Sequence, residues 1–227
     1  MTFVEQTRAA FRAGDTDTVA RLSTVELDRA RAAGDVAAEV EALGMLARVA
    51  ARHGELAELH RLALRAEEVA RAGGEPRLLL TPAHLLAGWA RLSGDLPAAR
   101  EFYARSIALN ESLGQPRMVV VEQHNLGHIE LRAGEIDRAR RCFTQAHRAT
   151  VELGITDLLP YVTLDAAVLA DHDGDQLRAA GLLGRAEGLL AAAGQVFDPD
   201  DALEQTALRE RLVAALGVEV FERARDA

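Results

Sequence analysis

The sequence predicts an all-α fold built from a repeated helical hairpin, and three observations predict it. Alanine and leucine carry the apolar content while aromatics make up only 4% of the 227 residues. That balance suits helices, because Ala, Leu, Arg and Glu are strong helix formers and strands favour β-branched and aromatic side chains. The second observation is a double ladder of glycines. Gly14, Gly54, Gly94, Gly134 and Gly174 stand 40 residues apart, and Gly34, Gly74, Gly114, Gly154 and Gly194 repeat the spacing half a period later. A fixed period of this kind is the mark of a repeat architecture. The third is a recurrence of small residues in step with the ladder. Ala47, Ala87, Gly127 and Ala167 stand seven before the turn glycines, and Leu59, Ala99, Ala139 and Ala179 stand five after them. Ala66, Ser106, Ala146 and Ala186 follow twelve after. Small residues at those places let two helices approach closely, with Tyr103, Phe143 and Leu183 filling the space between.

The elements follow in order as repeats at about 1–34, 35–74, 75–114, 115–154 and 155–194, each a helix, a turn, a second helix and a loop. Residues 1–34 are the most degenerate, with Val19 and Glu26 where small residues belong, and read as a terminal cap. In every repeat an acid follows the first glycine (Asp15, Glu55, Asp95, Glu135, Asp175), suited to a helix's first turn where the macrodipole is positive. The second glycine of each repeat follows a helical pattern and reads as a left-handed C-terminal cap. Pro76-Arg77 and Pro116-Arg117 recur just beyond such caps, where a new helix's first turn accepts proline. A hairpin of this kind cannot bury its apolar face alone, so stacked neighbours must complete the core. After 1–197 the pattern changes, and 198–227 reads as C-terminal capping helices. Asp198-Pro199 marks a helix start, Leu203, Leu208, Leu212 and Leu216 supply an apolar stripe, and VEVFERARDA reads as a short last helix.

The stretch NLGHIELRAGEIDRARRCFTQA, residues 125–146, resembles a tetratricopeptide repeat, with Leu126-Gly127, Gly134, Ala139, Phe143 and Ala146 at that motif's signature spacings. Residues 86–106 are a second good match. The usual early aromatic is absent, Glu130 replaces the usual tyrosine, and the 40-residue period implies helices of about four to five turns. The resemblance implies a right-handed α-solenoid of five hairpins plus capping helices. The segment RAAGLLGRAEGLLAAAG with the tail after it also resembles the C-terminal helical repeat domain of large bacterial transcriptional regulators.

In the tetratricopeptide family, one stripe of the first helix in each repeat lines a concave groove where partners bind. Here the positions 13, 10, 6, 3 and 2 before each turn glycine fall within about 100° of arc. They carry six arginines and four of the seven histidines against two acids, Glu41 and Asp171. The expected groove residues are Arg8, Arg12, Arg48, Arg52, His84, Arg91, His124, His128, Arg132 and His172, with Asn125 beside them. The formal net charge is -9, yet this stripe is basic. A site lined by one sign of charge attracts the other, and arginine's planar fork pairs with carboxylates. The expected partner is an acidic peptide or protein segment, in signalling or transcription control. Pairing of these arginines with neighbouring acids is the plainer alternative.

Other readings compete. His124 and His128 form an HxxxH pair one turn apart that could chelate zinc with His84. Asn125 stands where the glutamate of HExxH would be, and the pair reads as polar groove lining, with no metal or cofactor expected. An enzyme or small-molecule receptor of a biosynthetic pathway, using the same His/Arg pocket, is one rival function, and a homo-oligomeric scaffold is another. Cys142 reads as a packing thiol, and Trp89 as packed between helices. No GxSxG, paired catalytic carboxylates or phosphate-binding glycine loop is present, and a chain without lysine cannot carry GxxxxGK[ST]. Catalysis is therefore not expected. The acidic charge argues against direct nucleic-acid binding. One cysteine, no apolar run of about 18 residues and no apolar leader in MTFVEQTRAAFRAGD lead to a cytoplasmic, non-membrane expectation.

Overall fold

A computed structural model describes residues 1–227 and contains only helices, turns and short loops. The contacts gather into two units, Met1–Pro116 and Arg117–Ala227. The first holds α1 (Phe3–Arg12), α2 (Thr16–Ala33), α3 (Val36–Arg52), α4 (Leu56–Gly73), α5 (Leu80–Leu92) and α6 (Leu96–Ser112). The second holds α7 (Pro116–Arg132), α8 (Ile136–Glu152), α9 (Leu159–His172), α10 (Gln176–Ala192), α11 (Pro199–Leu216) and α12 (Val218–Arg225). Helices α2 to α4, α6 to α8, α10 and α11 run 17 or 18 residues, close to five turns.

All ten ladder glycines have positive φ, between 62° and 83°. The left-handed conformation expected of the second ladder thus extends to the first. At Gly134 the reason is visible: Gly134 N donates to Leu131 O (3.0 Å) and Glu135 N to Glu130 O (2.9 Å), a double closure of the last carbonyls of α7. That closure needs a left-handed residue, which only glycine adopts without steric cost. The acids after the first ladder sit one place earlier than a first-turn reading puts them, at the N-cap. Asp15, Asp95 and Asp175, and Asp35 in the second ladder's register, each accept a bond from the backbone N–H three residues on, at 3.0–3.2 Å. Glu55 and Glu135 stand at equivalent places without a side-chain cap bond. Their extra methylene carries the carboxylate past the N–H that aspartate reaches.

Pro116 opens α7 as expected, whereas Pro76 opens a 3-10 turn, Pro76–Leu79, before α5. A second 3-10 turn, Thr156–Leu158, precedes α9. These turns shorten α5 and α9 to 13 and 14 residues.

The small residues named from the repeat are fully buried, Ala47, Ala66, Ala87 and Ala99 in the first unit and Ala139, Ala146, Ala167, Ala179 and Ala186 in the second. Tyr103, Phe143 and Leu183 are buried with them. At Gly127 a Cβ would lie 2.6 Å from Phe143 Cδ1, so the ring occupies the space that a side chain there would need. In the tail, α11 begins at Pro199 and buries Leu208 and Leu212 beside Phe221 of α12. Leu203, expected on the apolar stripe, is 53% exposed. The helix instead turns Asp201 inward. Where α12 crosses α10, a side chain at Gly184 would collide with the backbone of Arg225. No helix is long and apolar enough to cross a membrane.

Candidate functional site

The residues expected to line one basic groove meet two different fates. In the first unit Arg48 and Arg52 gather on Phe11, their guanidinium carbons 5.9 and 4.3 Å from its ring centre. Arg52 also donates to the Phe11 carbonyl at 3.4 Å. Arg8 is 61% exposed in its side chain and lies 3.7 Å from Glu41, a loose surface pair. Arg12 and His84 are half-buried. Arg91 departs from expectation: it is 1% exposed and is among the largest fully buried side chains, so it offers no open fork to a ligand.

In the second unit His124 and His128 are not groove lining. His124 is 4% exposed, His128 0% and neighbouring Asn125 4%. The helical period places the two histidines on one side of α7, as read from the spacing, but that side is covered by α9 and α11, which carry Asp165 and Asp201. His124 Nδ1 donates to both oxygens of Asp165, at 2.8 and 2.9 Å, and His124 Nε2 donates to Asp201 Oδ1 at 3.0 Å. Carboxylate oxygens accept, so a ring bonded to them through both nitrogens carries both protons. His128 Nε2 lies 3.0 Å from Asp165 Oδ1, off the line of a hydrogen bond, and neither of its ring nitrogens has a hydrogen-bond partner. The two imidazoles meet edge to face with centres 5.0 Å apart, and Phe143 and Tyr161 wall the cluster.

The electrostatics follow from that enclosure. Burial pulls the His124 pKa down, but the charges and hydrogen bonds of Asp165 and Asp201 outweigh it and push the value up to about 10. Burial pushes the Asp165 carboxyl up, and the charge and hydrogen bonds of His124 carry it below the ordinary aspartate value instead. His124 thus bridges α7, α9 and α11 as a buried imidazolium. The HxxxH motif pointed to half of this cluster. Asp165 and Asp201 carry no motif, and only the packing of helices 41 and 77 residues away in sequence brings them to His124.

Arg132 lies 3.5 Å from Glu204 on α11. His172 is exposed at the end of α9, and its neighbour Asp171 is held by Arg211 at 2.8 Å. Trp89 stacks on His60 with ring centres 3.8 Å apart, which agrees with a packing role. Cys142 is half-buried, and burial pushes its thiol upward, as a packing thiol would show. A shallow cleft of about 310 Å³ in the first unit is lined by Leu27, Leu43, Leu46 and Leu62 with Arg31, Arg61 and Arg65 at its edge. None of the expected groove residues lines it.

No protein-family model matches the chain, and no curated protein matches it. Among solved structures it is similar to the crystal structure of BtubC (BKLC) from P. vanneervenii, with a TM-score of 0.65 and 22% identity over 93% of this chain and 88% of that one. At that identity the likeness concerns the fold alone.

Proposed function

We propose that the chain is a recognition module of the tetratricopeptide kind, which takes an acidic protein segment on the arginine-bearing face of α1 and α3. In this reading α1 to α10 are five hairpins of a right-handed stack closed by α11 and α12. Its setting is signalling or transcription control, as the resemblance to bacterial regulators suggests. The observation that carries the reading is the pair Arg48 and Arg52 over the ring of Phe11, with Arg8 of the same helix as Phe11 exposed beside Glu41 of α3. Stacking on a ring holds the plane of a guanidinium while its N–H edge stays able to grip a carboxylate. Arg91, His124, Asn125 and His128 have no part in it, because they are buried.

The test is fluorescence polarisation with a panel of acidic peptides, each with a free and an amidated C-terminus, against the wild type and an Arg8→Ala/Arg48→Ala variant. A hydrogen bond to a charged group contributes about 1.5–3 kcal/mol, so losing both side chains should weaken binding at least about tenfold. Binding should also fall with added salt. Binding indifferent to the substitutions and to salt, with helicity unchanged by circular dichroism, would overturn the reading.

A further inference from the structure

We propose that His124, His128 and Asp165 form a buried site for a divalent d-block metal ion of the zinc class, with Asp201 orienting His124 from the C-terminal helix α11. The inference is independent of the peptide-binding face, which lies in the other unit.

Four observations support it. The ligating atoms of the three residues lie within 4.8 Å of one another, and all three side chains are buried. Asp165 Oδ1 is 2.8 Å from His124 Nδ1 and 3.0 Å from His128 Nε2. Ligands about 2.0–2.1 Å from a tetrahedral zinc stand roughly 3.3 Å apart, so Asp165 would draw back by a few tenths of an ångström while the two imidazoles, whose ligating nitrogens lie within 4.8 Å, close toward each other by a rotation of their rings. Secondly, Asp201 sits on His124 Nε2, at 3.0 Å. A metal-bound histidine almost always donates its other N–H to a carboxylate or carbonyl, which fixes the nitrogen that faces the ion. Here that leaves Nδ1 as the ligand.

Thirdly, His128 is fully buried with neither ring nitrogen hydrogen-bonded, although its Nε2 stands beside Asp165. Ligation would give that nitrogen the partner it lacks. Fourthly, the filled site carries no excess charge, a favourable state in a buried place. A divalent ion with two neutral imidazoles and two carboxylates is neutral as a whole.

Two imidazoles and a carboxylate suit zinc and its borderline neighbours rather than a soft monovalent ion or a hard all-oxygen ion. Three protein ligands leave a fourth position for water. On binding, the metal takes the His124 Nδ1 lone pair and the displaced proton leaves to solvent, so affinity rises with pH. The bound ion would join α7 to α9 directly and hold α11 through Asp201.

The test uses the full chain freed of metal with a chelator, then titrated calorimetrically with zinc chloride in two buffers of different ionisation enthalpy. The expected result is one zinc per chain with release of about one proton. At zinc a hundredfold above Kd the Tm should rise by about 5 °C or more. X-ray absorption at the zinc edge of the unaltered protein should show two imidazoles, and it decides the matter even if a variant fails to fold. His128→Gln and Asp165→Asn should weaken binding at least about a hundredfold and Asp201→Asn about ten- to a hundredfold, while His147→Ala, on the exposed side of α8, leaves it unchanged. No stoichiometric uptake, an edge spectrum without imidazole, or full affinity in a folded His128→Gln variant would each overturn the proposal.

Discussion

Raising the pH of the metal-free chain should destabilise residues 117–227 through one side chain. The His124 pKa stands at about 10 in the folded protein against 6.5 as the ordinary value, so folding holds a proton that the unfolded chain releases. A raised histidine pKa contributes fully below about pH 6.5 and is lost as pH climbs toward the folded value. Each unit in that window removes about 1.4 kcal/mol, so moving from pH 6.5 to 9 should withdraw about 3 kcal/mol. Asp165 works at the opposite end, since its pKa is lowered. Its contribution is present above the unfolded value near 3.8 and is lost as pH falls through the folded one. Urea unfolding by circular dichroism, with chelator throughout, at pH 6.5, 7.5 and 9 measures the effect. The His124→Gln variant provides the subtraction, because every other titrating group is common to both proteins. The stability difference between wild type and variant should shrink as pH rises. A difference constant within about 0.5 kcal/mol over that range would refute the buried imidazolium.

Further substitutions probe the packing and the caps. Gly127→Ala forces Phe143 aside and should cost about 1–3 kcal/mol in urea unfolding, the usual range for overpacking. Leu212→Ala, fully buried in the tail, should cost about 2–5 kcal/mol, whereas exposed Leu203→Ala should stay within about 0.5 kcal/mol. Glu55→Asp should stabilise the start of α4 by about 0.5–1 kcal/mol, because aspartate at the equivalent positions makes the cap bond that Glu55 lacks. If Tm does not rise for that variant, the difference in side-chain reach is not what separates the two acids. Gly184→Ala should release α12 from α10, read as faster hydrogen exchange in residues 218–225.

The helical class and the turns were legible because they depend on local chemistry. A glycine ladder marks left-handed caps, since the steric rule acts on one residue at a time, and all ten positions obey it. The alanines that open room for Tyr103 and Phe143 were equally legible, because the 40-residue register repeats the same close approach. The face of α7 was read differently. Histidine and arginine at groove positions look the same in a sequence whether they meet solvent or a carboxylate from another helix. Arg48 and Arg8 stayed accessible, while His124 and His128 were covered. Leu203 failed for a related reason: a leucine stripe indicates an amphipathic helix but not the rotation at which it docks, and α11 docks with Asp201 inward.

Spacing alone dictated where the hairpins turn, which residues permit close packing, and that two histidines share one side of α7. Each is a matter of neighbours within a few residues or of a repeated register. Folding in three dimensions decided that Asp165 and Asp201 close on His124 from both sides, across 41 and 77 residues of chain. No local rule encodes that meeting. The ionisation of the cluster exists only once surrounding helices exclude water, because charge interactions gain strength only where the solvent no longer screens them.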